Sequence, residues 1–174
     1  YFTYYSQAAH KNEIIKEWHS ALCEKRNNGS RAKLKRCKSP ENAMMLRETH
    51  ALFDEMQKYY VSPEAVATMA GILSHVKVNK LGKFAEKLGQ EKGGHVLFSE
   101  IRFRNMLACR DWNEFYTSLR RAVVLLDGDV DPLSIVEAIK LWDEDKRGKI
   151  KEPSKKFCFK LSNEYYLQPS KTKK

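Results

Sequence analysis

The sequence predicts an all-α, two-lobed helical bundle of about seven to nine helices, and three observations carry that expectation. Apolar residues recur at helical spacing, with almost no alternating stretches that would mark strands. Three Ser-Pro or Asp-Pro pairs stand where helices should begin: Ser39-Pro40, Ser62-Pro63 and Asp131-Pro132. Half of the eight glycines fall within residues 78–97, which reads as a connector between helical lobes. The expected organisation is an N-terminal lobe at 1–77, a glycine-rich connector at 78–97, a C-terminal lobe at 98–167 and a basic tail at 168–174.

Each helix has its own signal. Ile14, Trp18 and Leu22 recur at i, i+4 and i+8 beside Ile15, giving an amphipathic helix that ends near Asn27-Asn28-Gly29. Ser30 is the expected cap of a short basic helix over 31–38, whose apolar side is only Ala32, Leu34 and Cys37. After Pro40 the stripe Met45, Thr49, Leu52, Phe53, Met56, Tyr60 predicts one helix of about five turns. After Pro63 the stripe is Val66, Met69, Ala70, Leu73, Val76. The connector holds one short helical piece at 83–88. Ser99 caps the next helix, with Phe98 set to staple against Phe103. Asp111 with Glu114 three residues on opens a helix with the stripe Trp112, Phe115, Tyr116, Leu119, Val123, Leu126. Leu133, Val136, Ile139 and Trp142 follow Pro132, and Phe157, Leu161, Tyr165 mark a last helix beyond a charged loop at 143–152.

Composition narrows the function classes. Hydrophobic residues are 42% and aromatics 11%, enough for a packed core in 174 residues. No apolar run reaches the length of a membrane span and no signal-peptide pattern opens the chain, so no membrane partner and a cytoplasmic location are expected. The four cysteines lie far apart within apolar patterns, as small buried hydrophobes in a reducing compartment do. The net charge is +10, and it is segregated. Residues 25–38 carry seven basic side chains and no acid; residues 146–174 carry ten against Glu152 and Glu164. The stretch 127–145 is acidic, with Asp127, Asp129, Asp131, Glu137, Asp143, Glu144 and Asp145 against Lys140 alone. Such polarity suits one face for a polyanion and another for a protein neighbour.

The common catalytic and cofactor motifs are absent. No phosphate-binding glycine loop, dinucleotide fingerprint, zinc-protease helix or nucleophile elbow occurs, and neither a cofactor nor a metal is expected. His50 and Asp54 share a predicted helix face but lack a third ligand. Asp127-Gly128-Asp129-Val130-Asp131 has the rhythm of a calcium loop, yet Ala138 stands where its last carboxylate belongs and Pro132 interrupts it.

Basic clusters interleaved with apolar helices remain. The 31–38 helix has five basic residues in eight and cannot hide them; Lys33 and Arg36 point one way, Arg31, Lys35 and Lys38 another. Arg102, Arg104 and Arg110 flank the stapled helix, and Arg120-Arg121 sit beside Leu119. Guanidinium groups grip phosphate oxygens in bidentate fashion and stack on bases. Without a base-reading module, the expectation is contact with nucleic-acid backbones irrespective of sequence.

The order of landmarks resembles one family, the small subunit of the type I-E CRISPR surveillance complex Cascade (the CasB family). The landmarks are Trp18; Gly29-Ser30-Arg31-Ala32 leading to Leu34-Lys35-Arg36; Phe98-Ser99-Glu100-Ile101-Arg102-Phe103 with Leu107; Leu119-Arg120-Arg121; Leu141-Trp142; and Tyr165-Tyr166. The likeness runs from about Glu13 to Leu167 and leaves out 78–97 and the tail. It implies a two-lobed, non-catalytic helical subunit, present as two stacked copies beside the backbone and large subunits. Its implied partners are the CRISPR guide RNA and target DNA, with basic residues steadying the target strand and the displaced strand of the R-loop. Carried over by position, Arg36, Arg102, Arg120 and Arg121 are the first candidates for that contact. Lys33, Lys35, Arg104 and Arg110 join them from charge and helical phase, and Lys35 stands where the family often has arginine.

Two other classes stay open at this level. One is a helical scaffold whose basic face meets an acidic protein, distinguished by the absence of co-purifying nucleic acid. The other is a helix-turn-helix regulator with 31–38 in the major groove, distinguished by a sequence-specific footprint on duplex DNA.

Overall fold

A computed structural model describes residues 2–167, with side chains from residue 7 onward. Ten α-helices and one two-residue hairpin make up the regular structure of those residues. The all-α expectation holds, and the helix count exceeds the expected range by one because a predicted long helix is broken in two.

The first helix, α1 (Phe2–Cys23), buries Ile14, Ile15, His19 and Leu22 on one side. A single 3-10 turn, Lys25–Asn27, leads straight into α2 (Asn28–Arg36). That helix begins earlier than Ser30, and its start carries no side-chain cap. Ser30 lies inside the first turn rather than ahead of it, and its hydroxyl donates to the Glu48 carboxylate, which that bond holds below the usual carboxylate range. Leu34 is the buried residue of α2, and Cys37 follows it into the core.

Ser39 caps α3 (Pro40–Met44) as predicted, its Oγ accepting from the Asn42 amide at 3.2 Å. The five-turn helix predicted here does not form. The chain turns extended at Leu46 and restarts as α4 (Arg47–Met56), leaving Met45 78% exposed. Both halves pack on the element that follows, with Ala43 and Thr49 buried. Tyr60, the far end of the predicted stripe, is left-handed (φ 56°) and 85% exposed.

That element is α5 (Pro63–Leu73), capped by Ser62 and buried on all sides from Ala65 to Leu73. A helix apolar all round belongs at the centre of a bundle. The connector then supplies α6 (Phe84–Leu88), which buries Phe84, Ala85 and Leu88. It also supplies the hairpin β1 (Glu91–Lys92) and β2 (His95–Val96), paired antiparallel in the register Glu91↔Val96 and Lys92↔His95. Gly93 and Gly94 form its turn with φ of 62° and 82°, the double positive φ that a tight two-residue hairpin requires.

The second half contains α7 (Glu100–Leu107), α8 (Trp112–Leu125), α9 (Pro132–Lys146) and α10 (Phe157–Tyr166). The predicted caps Ser99, Asp111 and Asp131 each accept a backbone N–H, and Glu114 reaches back to the Arg110 amide at 2.8 Å. Trp142 is stacked on Phe115 at 4.5 Å and met edge-on by Trp112. Tyr165 is stacked on Phe103 at 4.0 Å and donates its hydroxyl to the Phe98 carbonyl at 2.6 Å, fixing α10 to α7. The buried side chains form one cluster from Ile14 to Tyr165, and α5 packs on α2, α3, α4, α8 and α9.

The tightest passage of that core is where Tyr116 of α8 crosses α5. Its ring lies over Gly71 so closely that a methyl group there would collide with the ring and hydroxyl. Gly71→Ala is therefore expected to lower stability by about 1–3 kcal/mol, as overpacking does, read as a lower midpoint in thermal unfolding.

Candidate nucleic-acid interface

The geometry of the basic residues starts from how α2 is held. Arg31, in its first turn, folds inward: Nε donates to the Ser74 carbonyl at 2.9 Å and Nη2 to the Val76 carbonyl at 3.0 Å. These carbonyls stand just past the end of α5, where the helix dipole favours a cation. The Val76 carbonyl also meets buried His19 at 3.1 Å. At its other end α2 is held by α8. Tyr116 donates to the Cys37 carbonyl at 3.2 Å, and Arg120 donates to the Lys35 carbonyl at 3.3 Å. With its backbone fixed at both ends, α2 presents Lys33, Lys35 and Arg36 outward, all exposed.

His75 marks the point where the cations converge. Arg120 Nε donates to His75 Nε2 at 3.4 Å, which requires the unprotonated nitrogen there. Burial, then Arg120, Lys35 and Arg31 in that order, push the imidazole down to about 4. His19 is lowered too, chiefly by burial. Both histidines are easier to protonate in the unfolded chain, so the sign of the linkage is fixed. The stability they contribute is fully present above the ordinary value of 6.5 and declines as pH falls toward about 4. Chemical denaturation at a series of pH values should show that decline, and His75→Gln should flatten it.

Arg121, next along α8 and about 100° further round the helix, faces a different neighbour. There Arg102 and Arg121 line one groove between α7 and α8, with Asn105, Ser118, Phe98 and Leu125. Two guanidinium groups, an amide and a hydroxyl make a donor-rich surface suited to phosphate and sugar oxygens. Arg104 lies outside this groove: it pairs with Glu100 at 2.5 Å, and Tyr166 donates to the same carboxylate. Arg110 is exposed at the far end of α8, before its cap, about 15 Å along the helix from Arg120. Of the eight predicted residues, α8 thus joins Lys33, Lys35, Arg36 and Arg120 on one flank to Arg102 and Arg121 on the other.

Sequence reasoning placed Arg31 with the outward cations of its helix, and the structure corrects that: its partners are carbonyls brought in by α5. It also missed His75, Asn105 and Ser118, none of which carries a local signal. Several acids of the 127–145 stretch have partners within the fold. Asp127 pairs with Lys77 at 2.6 Å and Asp129 with Lys87 at 3.2 Å. Asp131 caps α9, Asp143 holds Arg147 at 2.6 Å, and Asp145 accepts the Phe157 amide at 3.1 Å. These acids are largely matched within the fold, so the net positive charge is left to the surface. Among the described residues no group of three or more His, Cys, Asp or Glu side chains could hold a metal ion, and no helix is long and apolar enough to cross a membrane.

Compared with known families, the model of the CRISPR-associated protein Cse2 matches residues 30–166. That span runs from the first turn of α2 to the end of α10 and includes every residue of the basic band. The chain belongs to the CRISPR-associated protein Cse2 family. It is thereby a small subunit of the type I-E CRISPR Cascade complex, and other Cascade subunits are its neighbours. No curated protein and no solved structure matches the chain. Within the Cse2 match, the landmarks Leu34-Lys35-Arg36 and Leu119-Arg120-Arg121 are the two segments that the Arg120 hydrogen bond joins.

Proposed function

We propose that this Cse2-family subunit steadies the guide RNA, the target strand and the displaced strand of the R-loop through sequence-independent backbone contacts, without catalysis of its own. The observation that carries the reading is the band along α8, where cations from α2 and α7 meet Arg120 and Arg121 on its two flanks. R-loop formation exchanges one duplex for another at near balance, so modest phosphate contacts displace the equilibrium. In this reading two copies of the chain sit in the cytoplasmic complex beside the backbone and large subunits. Arg104, already paired with Glu100, contributes less than Arg36 or Arg121.

The reading is tested in the reconstituted complex with Arg36→Ala and Arg121→Ala. Both side chains are exposed, so the expected result is weaker retention of target DNA with an unchanged melting profile. Undiminished retention in both variants contradicts the proposal. A loss that does not shrink with added salt contradicts its electrostatic basis.

A further inference from the structure

We propose that the outward face of α10 and the loop before it form a second nucleic-acid surface, which holds a single strand by stacking a base on Phe159 between lysines. The surface is built from residues other than those of the α8 band.

The face follows from helical phase. Phe157, Leu161 and Tyr165 at i, i+4 and i+8 are the buried residues of α10. Phe159 is about 200° round from Phe157, at the solvent pole of the helix. It is 56% exposed, and Tyr166 further along is 42% exposed. Lys156, Phe159, Asn163 and Tyr166 follow at i, i+3, i+7 and i+10, so the solvent side carries a stripe of its own. An aromatic ring there adds nothing to the core.

The surrounding charge is predominantly positive. Earlier cations of this segment are used inside the fold: Lys146 lies over the Trp142 ring at 5.4 Å, and Arg147 is held by Asp143. From there on Lys149, Lys151, Lys155, Lys156 and Lys160 are all exposed. Among the described residues only Lys155 of these five enters an ion pair, with Glu152 at 2.7 Å. The short helical turn Pro153–Lys155 packs against α10, so the basic loop leads directly into the helix that carries Phe159. An excess of cations fits a polyanion. An exposed ring fits the face of an unstacked base, which a duplex conceals and a single strand offers. Asn163, one turn on, adds hydrogen-bond donors and an acceptor for a base edge or sugar.

The test uses the full chain and a random-sequence single-stranded oligodeoxynucleotide carrying 5-iodouracil, which cross-links on irradiation to stacked aromatic rings. The expected cross-link maps to Phe159 and disappears in Phe159→Leu. That variant should weaken single-strand binding roughly tenfold, leave affinity for a blunt duplex unchanged, and be rescued by Phe159→Tyr. Cross-links confined to the α2–α8–α7 band, or equal losses for single strand and duplex, overturn this surface and leave the band intact. Reduced incorporation into the complex with unchanged DNA binding makes the face a protein contact and overturns it too. Insensitivity of binding to this set and to Lys33, Lys35 and Arg36 substitutions sinks both readings.

Discussion

Alanine in place of Arg31 is expected to lower the unfolding free energy by about 2–3 kcal/mol, while alanine in place of Arg36 leaves it unchanged. The two arginines stand five positions apart on one basic helix, and only their partners distinguish them. Arg31 serves two carbonyls beyond the end of α5, and their residues, Ser74 and Val76, are buried. Removing the guanidinium strips them of a charged donor, a loss that solvent cannot fully restore. Arg36 is exposed, and surface substitutions of that kind usually change stability little. Denaturant titration of the two variants checks the contrast. Equal stability of Arg31→Ala and the parent chain would show that α2 is held by Tyr116 and Arg120 alone.

The second large effect concerns binding. Replacing Lys33, Lys35 and Arg36 together with alanine should reduce the slope of log affinity against log salt by about 2 for a single strand, if each side chain neutralises one phosphate at roughly 0.7. Across a tenfold rise in salt, the variant would then lose about a hundredfold less affinity than the parent chain. The backbone of α2 keeps its clasps in this variant, since the Arg120 and Tyr116 bonds run to carbonyls rather than to the replaced side chains. An unaltered slope would place the phosphate contacts elsewhere on the molecule.

Much of the fold was legible because its signals are local. Ser39, Ser62, Ser99, Asp111 and Asp131 each cap the helix they were expected to cap, a matter of a few neighbouring bonds. The buried stripes of α8, α9 and α10 followed from their spacing in the same way. What failed depended on distant partners. Both halves of the broken helix, α3 and α4, pack on α5, and no residue at Met45 or Leu46 announces the break. Ser30 has the chemistry of a cap, but the helix begins at Asn28 and leaves it inside the first turn.

The site divides along the same line. Charge and helical phase found Lys33, Lys35 and Arg36, whose role needs only that they be exposed. They could not separate Arg31 from these, because its partners lie 43 and 45 residues along the chain. Nor could they show that Arg120 spans both classes, bound to the Lys35 carbonyl while its charge still faces the cluster. Nor does the sequence show that Lys77, Lys80 and Lys87, about 40 to 50 residues earlier, stand beside Asp127 and Asp129.

His75 offers the most direct measurement of the central claim, because Arg120, Lys35 and Arg31 are the charges that help hold it down to about 4. A phosphate backbone seated on that cluster offsets their field, which makes protonation of the imidazole easier. Titrating the His75 ring by NMR, with and without a short single-stranded oligonucleotide at low salt, reads that field at the site itself. The oligonucleotide should raise the midpoint, and added salt should abolish the rise. A midpoint unmoved by bound oligonucleotide would contradict the central claim and place the nucleic acid away from α2 and α8.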